Sequence, residues 1–351
     1  MNYPYIEEFR HSLVEWFHQE KRDLPWRRTS DPYKIWVSEV MLQQTRVDTV
    51  IPYYNRFLDK YPTLQSLAYA PQEELLKMWE GLGYYSRARN LQAGVKEVVE
   101  KYDAIVPDTR HDISKLKGIG PYTAGAILSI AYNKPEHAVD GNVMRVLSRV
   151  LHITEDIAVP KTKKVFEEAV DALIDEDYPG DFNQALMDLG AMICTPTSPK
   201  CLLCPVRDYC TAFQEGDADQ LPIKSKKTKT KKVKFDVFVA IDKEGKYLVE
   251  KRKEEGLLAN MWQFPMIELN ENANSIESFQ HNYNVIILEK ADDKDLNFKH
   301  IFSHLTWELN CIFVQVEQQS TLPNDALFLA MDSIQALPMP VPMLKIMNVL
   351  N

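Results

Sequence analysis

The sequence has no apolar run long enough to span a bilayer, and it does not begin with a basic segment followed by an apolar one. A membrane partner and a secretory signal are therefore not expected, and an intracellular chain is. An excess of base is missing too, since the net charge is −9. That argues against a general nucleic-acid coat but not against DNA, because affinity for phosphate follows the local surface rather than the total. Charge is unevenly spread: the stretch 221–234 holds seven lysines and no acid. Cysteine is scarce and odd in number, five in 351 residues. Four of the five fall between Cys194 and Cys210, which in an intracellular chain reads against a disulfide framework and for a metal site.

Glycine is also sparse, so two glycines one residue apart stand out. Gly118 and Gly120 open the stretch LKGIGPYTAGAILSIAYNKPEHAVDGNVMR, Leu116–Arg145. Glycines permit positive φ and leave turn N–H groups uncovered, and a helix N-terminus directly after them presents donors and a positive dipole to an anion. A tight turn between two helices would use the same glycines. Asp140 follows Gly120 by twenty residues, in the polar break Val139–Asn142. A helix over Tyr122–Tyr132 and a short turn would return that carboxylate towards the glycine loop.

Upstream, Phe9, Leu13, Trp16 and Phe17 recur at helical spacing and read as core. The basic segment Lys21–Arg28 contains Trp26 and Arg27, which suit stacking on an extruded base or an inward-packed loop equally well. Asp31–Pro32 is a helix start, and the helix is expected to run through PYKIWVSEVMLQQTRV. Glu39 lies among Val37, Val40, Met41 and Leu42. In that setting it is either a general acid with a raised pKa or a residue of a solvated stripe. Gln44 and Thr45 sit at the helix end, to enter a duplex or to cap. Residues 49–80 read as further amphipathic helices. In GLGYYSRARN, Leu82 and Tyr84 could wedge between bases or pack beneath a turn.

The cysteines are spaced C-x6-C-x2-C-x5-C at Cys194, Cys201, Cys204 and Cys210, without a neighbouring histidine. Four thiolates suit zinc or an iron–sulfur cluster by donor type. Residues 214–234 are polar and lysine-rich and read as a basic linker. Beyond them Phe235–Ile241, Tyr247–Arg252 and Leu309–Val316 are strand candidates of a separate α/β domain. The division expected is 1–213, with the cysteine loop 194–210 inside it, then the linker 214–234 and a second domain 235–351.

Taken together, SEVMLQQTRV, GLGYYSRARN, GIGPYTAGAI, VDGNVMRVLSR, the cysteine loop and HIFSHLTW resemble the adenine DNA glycosylases of the MutY type. The resemblance implies a multidomain fold: an all-α helix-hairpin-helix catalytic region in two lobes with an iron–sulfur loop, and a C-terminal α/β Nudix-like domain. It implies a [4Fe-4S] cluster on Cys194, Cys201, Cys204 and Cys210. The expected partner is double-stranded DNA carrying 8-oxoguanine:adenine or guanine:adenine mispairs, and the expected state a monomer. By the resemblance Glu39 protonates adenine at N7, and Asp140 stabilises or captures the sugar cation. Tyr122 and Asn142 match positions beside the reacting sugar, and Trp26, Arg27 and Leu42 match pocket positions. Gln44, Thr45, Leu82 and Tyr84 match the surroundings of the intrahelical 8-oxoguanine. Gly118 and Gly120 match the phosphate-gripping hairpin, and Phe302, Ser303 and His304 the lesion-sensing loop. Without the family, that last segment reads as a polar turn between strands.

Two departures bear on activity. The endonuclease III branch has a lysine where this chain has Tyr122, so strand cleavage through a Schiff base is not expected and the chain reads as monofunctional. After Trp262–Pro265 the Nudix glutamate array is missing, so pyrophosphate hydrolysis is not expected. The rivals are a pyrimidine-specific glycosylase/lyase and a DNA-structure binder in which Glu39 and Asp140 are incidental.

Overall fold

The computed structural model describes residues 3–225, 231–269, 274–291 and 296–350. The chain divides into two compact units, Met1–Tyr69 with Asn90–Lys227, and Ala70–Arg89 with Thr228–Asn351. The helices in order are α1 (Ile6–Glu20), α2 (Pro32–Leu42), α3 (Val47–Lys60), α4 (Leu64–Ala68), α5 (Gln72–Met78), α6 (Ser86–Lys101), α7 (Arg110–Ile113) and α8 (Pro121–Tyr132). They continue with α9 (Gly141–Val150), α10 (Lys163–Leu173), α11 (Pro179–Met192) and α12 (Thr211–Glu215), then α13 (Ser275–Tyr283), α14 (Met331–Gln335) and α15 (Val341–Leu350).

The first unit is helical among its described residues. One of its cores joins Phe9, Leu13 and Phe17 of α1 to Val143 and Leu147 of α9 and to Phe182 and Leu186 of α11. Trp16 is only partly buried at its edge. Elsewhere α2 packs on α3 and α8. Asp31 accepts a hydrogen bond from Tyr33 N–H, and Pro32 occupies the first helical position, so α2 starts as its sequence predicts. It stops earlier than expected, at Leu42, because Gln44 turns to a left-handed φ of 58° and Thr45 N–H bonds back to Leu42 C=O.

Among its described residues the second unit is built on eight strands: β1 (Lys231–Ile241), β2 (Tyr247–Lys251), β3 (Trp262–Gln263), β4 (Met266–Glu268), β5 (Val285–Lys290), β6 (Leu296–Ile301), β7 (Leu305–Gln318) and β8 (Ala326–Leu329). The main order is β3-β2-β1-β7-β5; β1 and β7 run parallel, with Lys231 opposite Leu305 and Ile241 opposite Gln315. One face of the sheet buries Val237, Val239 and Phe313 with Met343 and Ile346 of α15. The other buries Phe238 and Val314 with α13, where Phe238 and Phe279 stack at 4.1 Å.

The expected linker 214–234 is shorter than its composition indicated. Leu221 is buried in the helical core, Ile223 C=O accepts from Ile157 N–H, and β1 already begins at Lys231. Residues 226–230 of that stretch lie outside the described residues. Ala70–Arg89, read as part of the helical region, belongs instead to the unit that holds the sheet. Its charged side chains are the reason: Glu73 takes Lys251 Nζ at 2.6 Å and Trp262 Nε1 at 3.3 Å. Lys77 donates to Leu337 C=O, Glu80 accepts from Met339 N–H, and Arg89 donates to Ala259 C=O.

Candidate active site

Glu39 belongs to α2, whose residues from Ile35 to Met41 are all buried, so the helix offers no solvated stripe at that position. The residue is only 5% exposed. Burial pushes its pKa from 4.5 up to about 7; the hydrogen bond from Tyr122 and the charge of Arg27 pull it down, and Asp140 adds to the rise. Tyr122 Oη donates to Glu39 Oε2 at 2.6 Å. The phenol itself is held well above its ordinary range, first by burial and then by the charge of Glu39.

Asp140 is the N-cap of α9. Its Oδ1 accepts from Val143 N–H at 2.8 Å and its Oδ2 from Asn142 Nδ2 at 2.9 Å. Burial raises its pKa, while those donors and Arg145 oppose the rise. Arg145 continues the chain of contacts, donating to Asn142 Oδ1 at 2.9 Å and to Cys194 C=O at 2.8 Å. The approach of α8 to the segment before Asp140 needs Gly125, because a Cβ there would lie 1.7 Å from His137 C=O. In the turn ahead of α8, Gly118 has φ +79°, and a Cβ on it would meet Asn90 at 2.7 Å. Gly120 is extended, at φ −96°, and caps α8 without a side-chain acceptor. Pro121 carries no N–H and Ala124 N–H is bonded to Gly120 C=O, so Tyr122 and Thr123 are the N–H groups this helix end presents to an anion.

These groups line one cavity of about 710 Å³. The expected Trp26, Arg27, Leu42, Gln44 and Thr45 line it too, as do Gly118, Gly120, Asn142, Glu39, Tyr122 and Asp140. Trp26 is also packed inward, edge-on to Tyr54 at 5.4 Å. Sequence reading missed Arg22, Gln184 and Asp188. Asp188 is 1% exposed and holds both Arg22 and Arg27, the latter at 2.7 Å. Gln184 Oε1 accepts from Arg27 Nε at 3.0 Å. The four-residue spacing of Gln184 and Asp188, on one face of α11, was the available signal.

The remaining expected DNA-contacting residues lie in the second unit. In the loop after α5, Leu82 is buried while Tyr84 is 46% exposed with a left-handed φ of 48°. So Leu82 packs beneath the turn, and Tyr84 is the side chain presented. Phe302–His304 form the turn between β6 and β7, closed by Phe302 N–H on Leu305 C=O at 2.8 Å. The Phe302 ring packs on Trp307 at 4.8 Å, whereas Ser303 and His304 are exposed. Tyr84 Oη and Ser303 Oγ are hydrogen-bonded, which joins two expected lesion-reading segments within one unit.

None of the four clustered cysteines is in a disulfide, and all line one small cavity with Arg149. Burial first, and then the mutual charge of the neighbouring cysteines, pushes the Cys204 thiol up to about 12 and Cys210 up to about 11. Sulfurs clustered in this way ionise together only beside a strong positive charge. Arg149 supplies some of it, donating to Cys194 Sγ at 3.2 Å, and backbone N–H groups of Val206 and Phe213 address Cys204 and Cys210. Among the described residues no three His, Cys, Asp or Glu side chains are arranged to hold a single metal ion. A four-iron cluster, taking one thiolate per iron, fits a spread donor set.

Known proteins resemble this chain in sequence and in fold. The family profile described as HhH-GPD superfamily base excision DNA repair protein matches residues 37–173. That of the iron-sulfur binding domain of endonuclease III matches 194–210, and a NUDIX domain profile matches 236–349. The chain carries a [4Fe-4S] cluster. It is 34% identical over 348 residues to an adenine DNA glycosylase of Buchnera aphidicola subsp. Baizongia pistaciae, covering 97% of this chain and 96% of that one. It is 38% identical over 354 residues to an adenine DNA glycosylase of Arabidopsis thaliana, covering 85% of this chain; it spans 56% of the length of that longer protein. A solved thermostable thymine-DNA glycosylase matches with a TM-score of 0.55 and 30% identity, covering 60% of this chain and 97% of that one. No helix among the described residues is long and apolar enough to cross a membrane.

Proposed function

Because the chain belongs to the adenine DNA glycosylase family, we propose that it hydrolyses the N-glycosidic bond of adenine mispaired with 8-oxoguanine or guanine, leaving an abasic site in duplex DNA. The observation that carries this reading is the pairing of two buried carboxylates in one cavity with unlike environments. Glu39 receives a single hydrogen bond, from Tyr122, and its pKa of about 7 keeps much of it protonated near neutrality. Burial raises the Asp140 pKa too, but a backbone N–H and an amide N–H oppose that rise and favour its ionised form. Paired groups whose surroundings differ in this way divide into acid and base.

Adenine leaves poorly as an anion. Proton transfer from Glu39 to N7 of an extruded adenine makes it a neutral leaving group, and Tyr122 then stabilises the carboxylate left behind. Asp140 stabilises the oxocarbenium-like sugar as the bond breaks, and water completes hydrolysis. The cavity accommodates a purine nucleoside, with Trp26, Arg27 and Leu42 on its wall. The turn at Gly118–Gly120 and the open end of α8 bind a DNA phosphate. In the second unit Tyr84, with Ser303 and His304, reads the partner base; in the first, Gln44 and Thr45 at the end of α2 contact the DNA. Leu82, which is buried, supports Tyr84 from beneath, and Phe302 anchors the turn on Trp307.

Cys194, Cys201, Cys204 and Cys210 would hold the cluster, which when bound would offset part of the charge of the four thiolates and tie the loop 194–210 in place next to Arg145. Arg145 in turn orients Asn142, and through it Asp140. One chain suffices for this chemistry, in the intracellular compartment that holds the DNA. The test is incubation with duplexes carrying each defined mispair, followed by alkaline cleavage. Adenine-specific abasic sites opposite 8-oxoguanine and guanine are expected. Excision of a pyrimidine instead, or no excision at all, overturns the reading.

A further inference from the structure

Asp188 is the most deeply buried acid of the cavity wall, and nothing in the chemistry above uses it. Each of its oxygens is occupied: Oδ1 takes Arg22 and Oδ2 takes Arg27 NH1 at 2.7 Å. Arg27 is further fixed by Gln184 Oε1 at 3.0 Å, by Arg22 C=O at 3.3 Å and by the Phe17 ring, 5.0 Å from its guanidinium. Gln184 is itself held, donating from Nε2 to Gly180 C=O at 3.2 Å. Two guanidinia thus meet one carboxylate, 33% and 10% exposed against 1%.

The titratable and charged groups that face Glu39 are Tyr122 from α8, Asp140 at the start of α9 and Arg27 from the turn before α2. Arg22, Lys163 and Asp188 line the same cavity. Of these, Arg27 is the group that threatens a general acid. A buried guanidinium next to a carboxyl prefers it ionised and bidentate. Were Arg27 to swing onto Glu39, the pair would be a salt bridge and the proton for adenine would be gone.

We propose that Asp188 is a positioning residue that commits Arg27 to itself, so that Glu39 keeps the proton the reaction requires. Resting on the reading of Glu39 as the acid, the inference assigns Asp188 a role in the pH dependence of that site. Arg27 stays near enough to stabilise the Glu39 carboxylate once the proton has moved, yet is neutralised enough not to take Glu39 beforehand. The helical spacing of Gln184 and Asp188 on α11 makes this a two-point clamp on one guanidinium.

The test is single-turnover adenine removal by the iron-loaded full chain between about pH 5 and 9, on a duplex with adenine opposite 8-oxoguanine. The rate should fall on the alkaline side as Glu39 loses its proton. In Asp188→Asn one negative charge is gone and Arg27 is released, so the alkaline limb should move to lower pH by roughly one unit, about a tenfold loss of rate on that limb. Asp188→Glu should restore part of the shift. Arg27→Gln/Asp188→Asn, which removes the charge together with its clamp, should return the limb to the wild-type pH or above it.

A uniformly slower Asp188→Asn enzyme with an unmoved limb would make Asp188 a structural residue only. So would a double variant that keeps the acid-ward shift, and this arm decides the matter if the single variant does not fold. Glu39→Gln separates the two readings. If it retains the wild-type rate and limb, the acid assignment has failed; if it is inactive while the Asp188→Asn limb stays in place, only the clamp has failed.

Discussion

A carboxyl held protonated by burial is a stability liability whose size follows from its pKa. Glu39 is raised from 4.5 to about 7, roughly two and a half pH units at about 1.4 kcal/mol each, or about 3 kcal/mol. The folded chain keeps this proton at pH values where the unfolded chain has released it. Stability is therefore fully present below about pH 4.5, declines as pH rises through 7 and is flat above. Glu39→Gln places a neutral group of the same shape under Tyr122 Oη, which can still donate to the amide oxygen. The amide N–H of the new side chain is left without an assigned acceptor, which costs about 1–3 kcal/mol at every pH. For that reason the change with pH carries the prediction, not the difference at one pH. Relative to wild type, the variant should gain about 3 kcal/mol between pH 4.5 and 8. At a few degrees per kcal/mol for domains of this size, that is on the order of 5 °C or more in apparent Tm. Paired denaturation curves of the iron-loaded proteins at pH 5 and pH 8 would show it, and Asp140, present in both, largely cancels. A stability gap that does not change with pH would mean that Glu39 titrates as an ordinary carboxylate, and burial could not be what keeps it an acid.

Three further outcomes are expected. Tyr122→Phe removes the hydrogen bond that favours the Glu39 carboxylate, so the alkaline limb of adenine removal should move to higher pH while the rate at its plateau drops; a limb that moves the other way would refute this sign. Because Tyr122 offers no amine, borohydride should trap little covalent enzyme–DNA adduct, and trapping as fast as base removal would contradict a monofunctional reaction. Replacing Ser303 and His304 by alanine should slow adenine removal opposite 8-oxoguanine more than opposite guanine, by up to about tenfold or ~1.4 kcal/mol, the scale of one or two hydrogen bonds; equal loss on both substrates would leave the turn without a reading role.

The parts of the fold legible in the sequence were those written in short range. Asp31–Pro32 started a helix, Gly118 took positive φ, and Phe9, Leu13 and Phe17 formed core. Glu39 could not be decided from periodicity, because α2 is buried on nearly all sides and has no polar stripe to be read. Asp188 was hard to read for another reason: its partners are more than 160 positions away, so its spacing from Gln184 was a local sign that could not name them. The same holds for Glu73 and Lys77 of α5 and for Glu80 just after it, whose partners Lys251, Leu337 and Met339 are far away in sequence. The lysines of 231–234 masked the start of β1, whose partner β7 comes much later in the chain.

On the proposed reading the two units divide the labour, with a consequence for discrimination. Glu39, Tyr122 and Asp140 lie in one compact unit, and Tyr84 with Ser303 and His304 in the other. A preference for 8-oxoguanine over guanine is then a coupling free energy between a reading element and a chemical one, and it need not alter the proton affinity of the acid. Cavity variants at Asp188 or Tyr122 should move the pH limb equally on both substrates, while variants at Ser303 or His304 should change the ratio of rates with the limb fixed. Gln44 and Thr45 are the exception. They lie in the catalytic unit, immediately after α2, at the left-handed turn that ends the helix carrying Glu39. A partner base that shifts this turn acts on Glu39 through about one turn of helix. Variants there should be the ones in which the rate ratio and the pH limb move together.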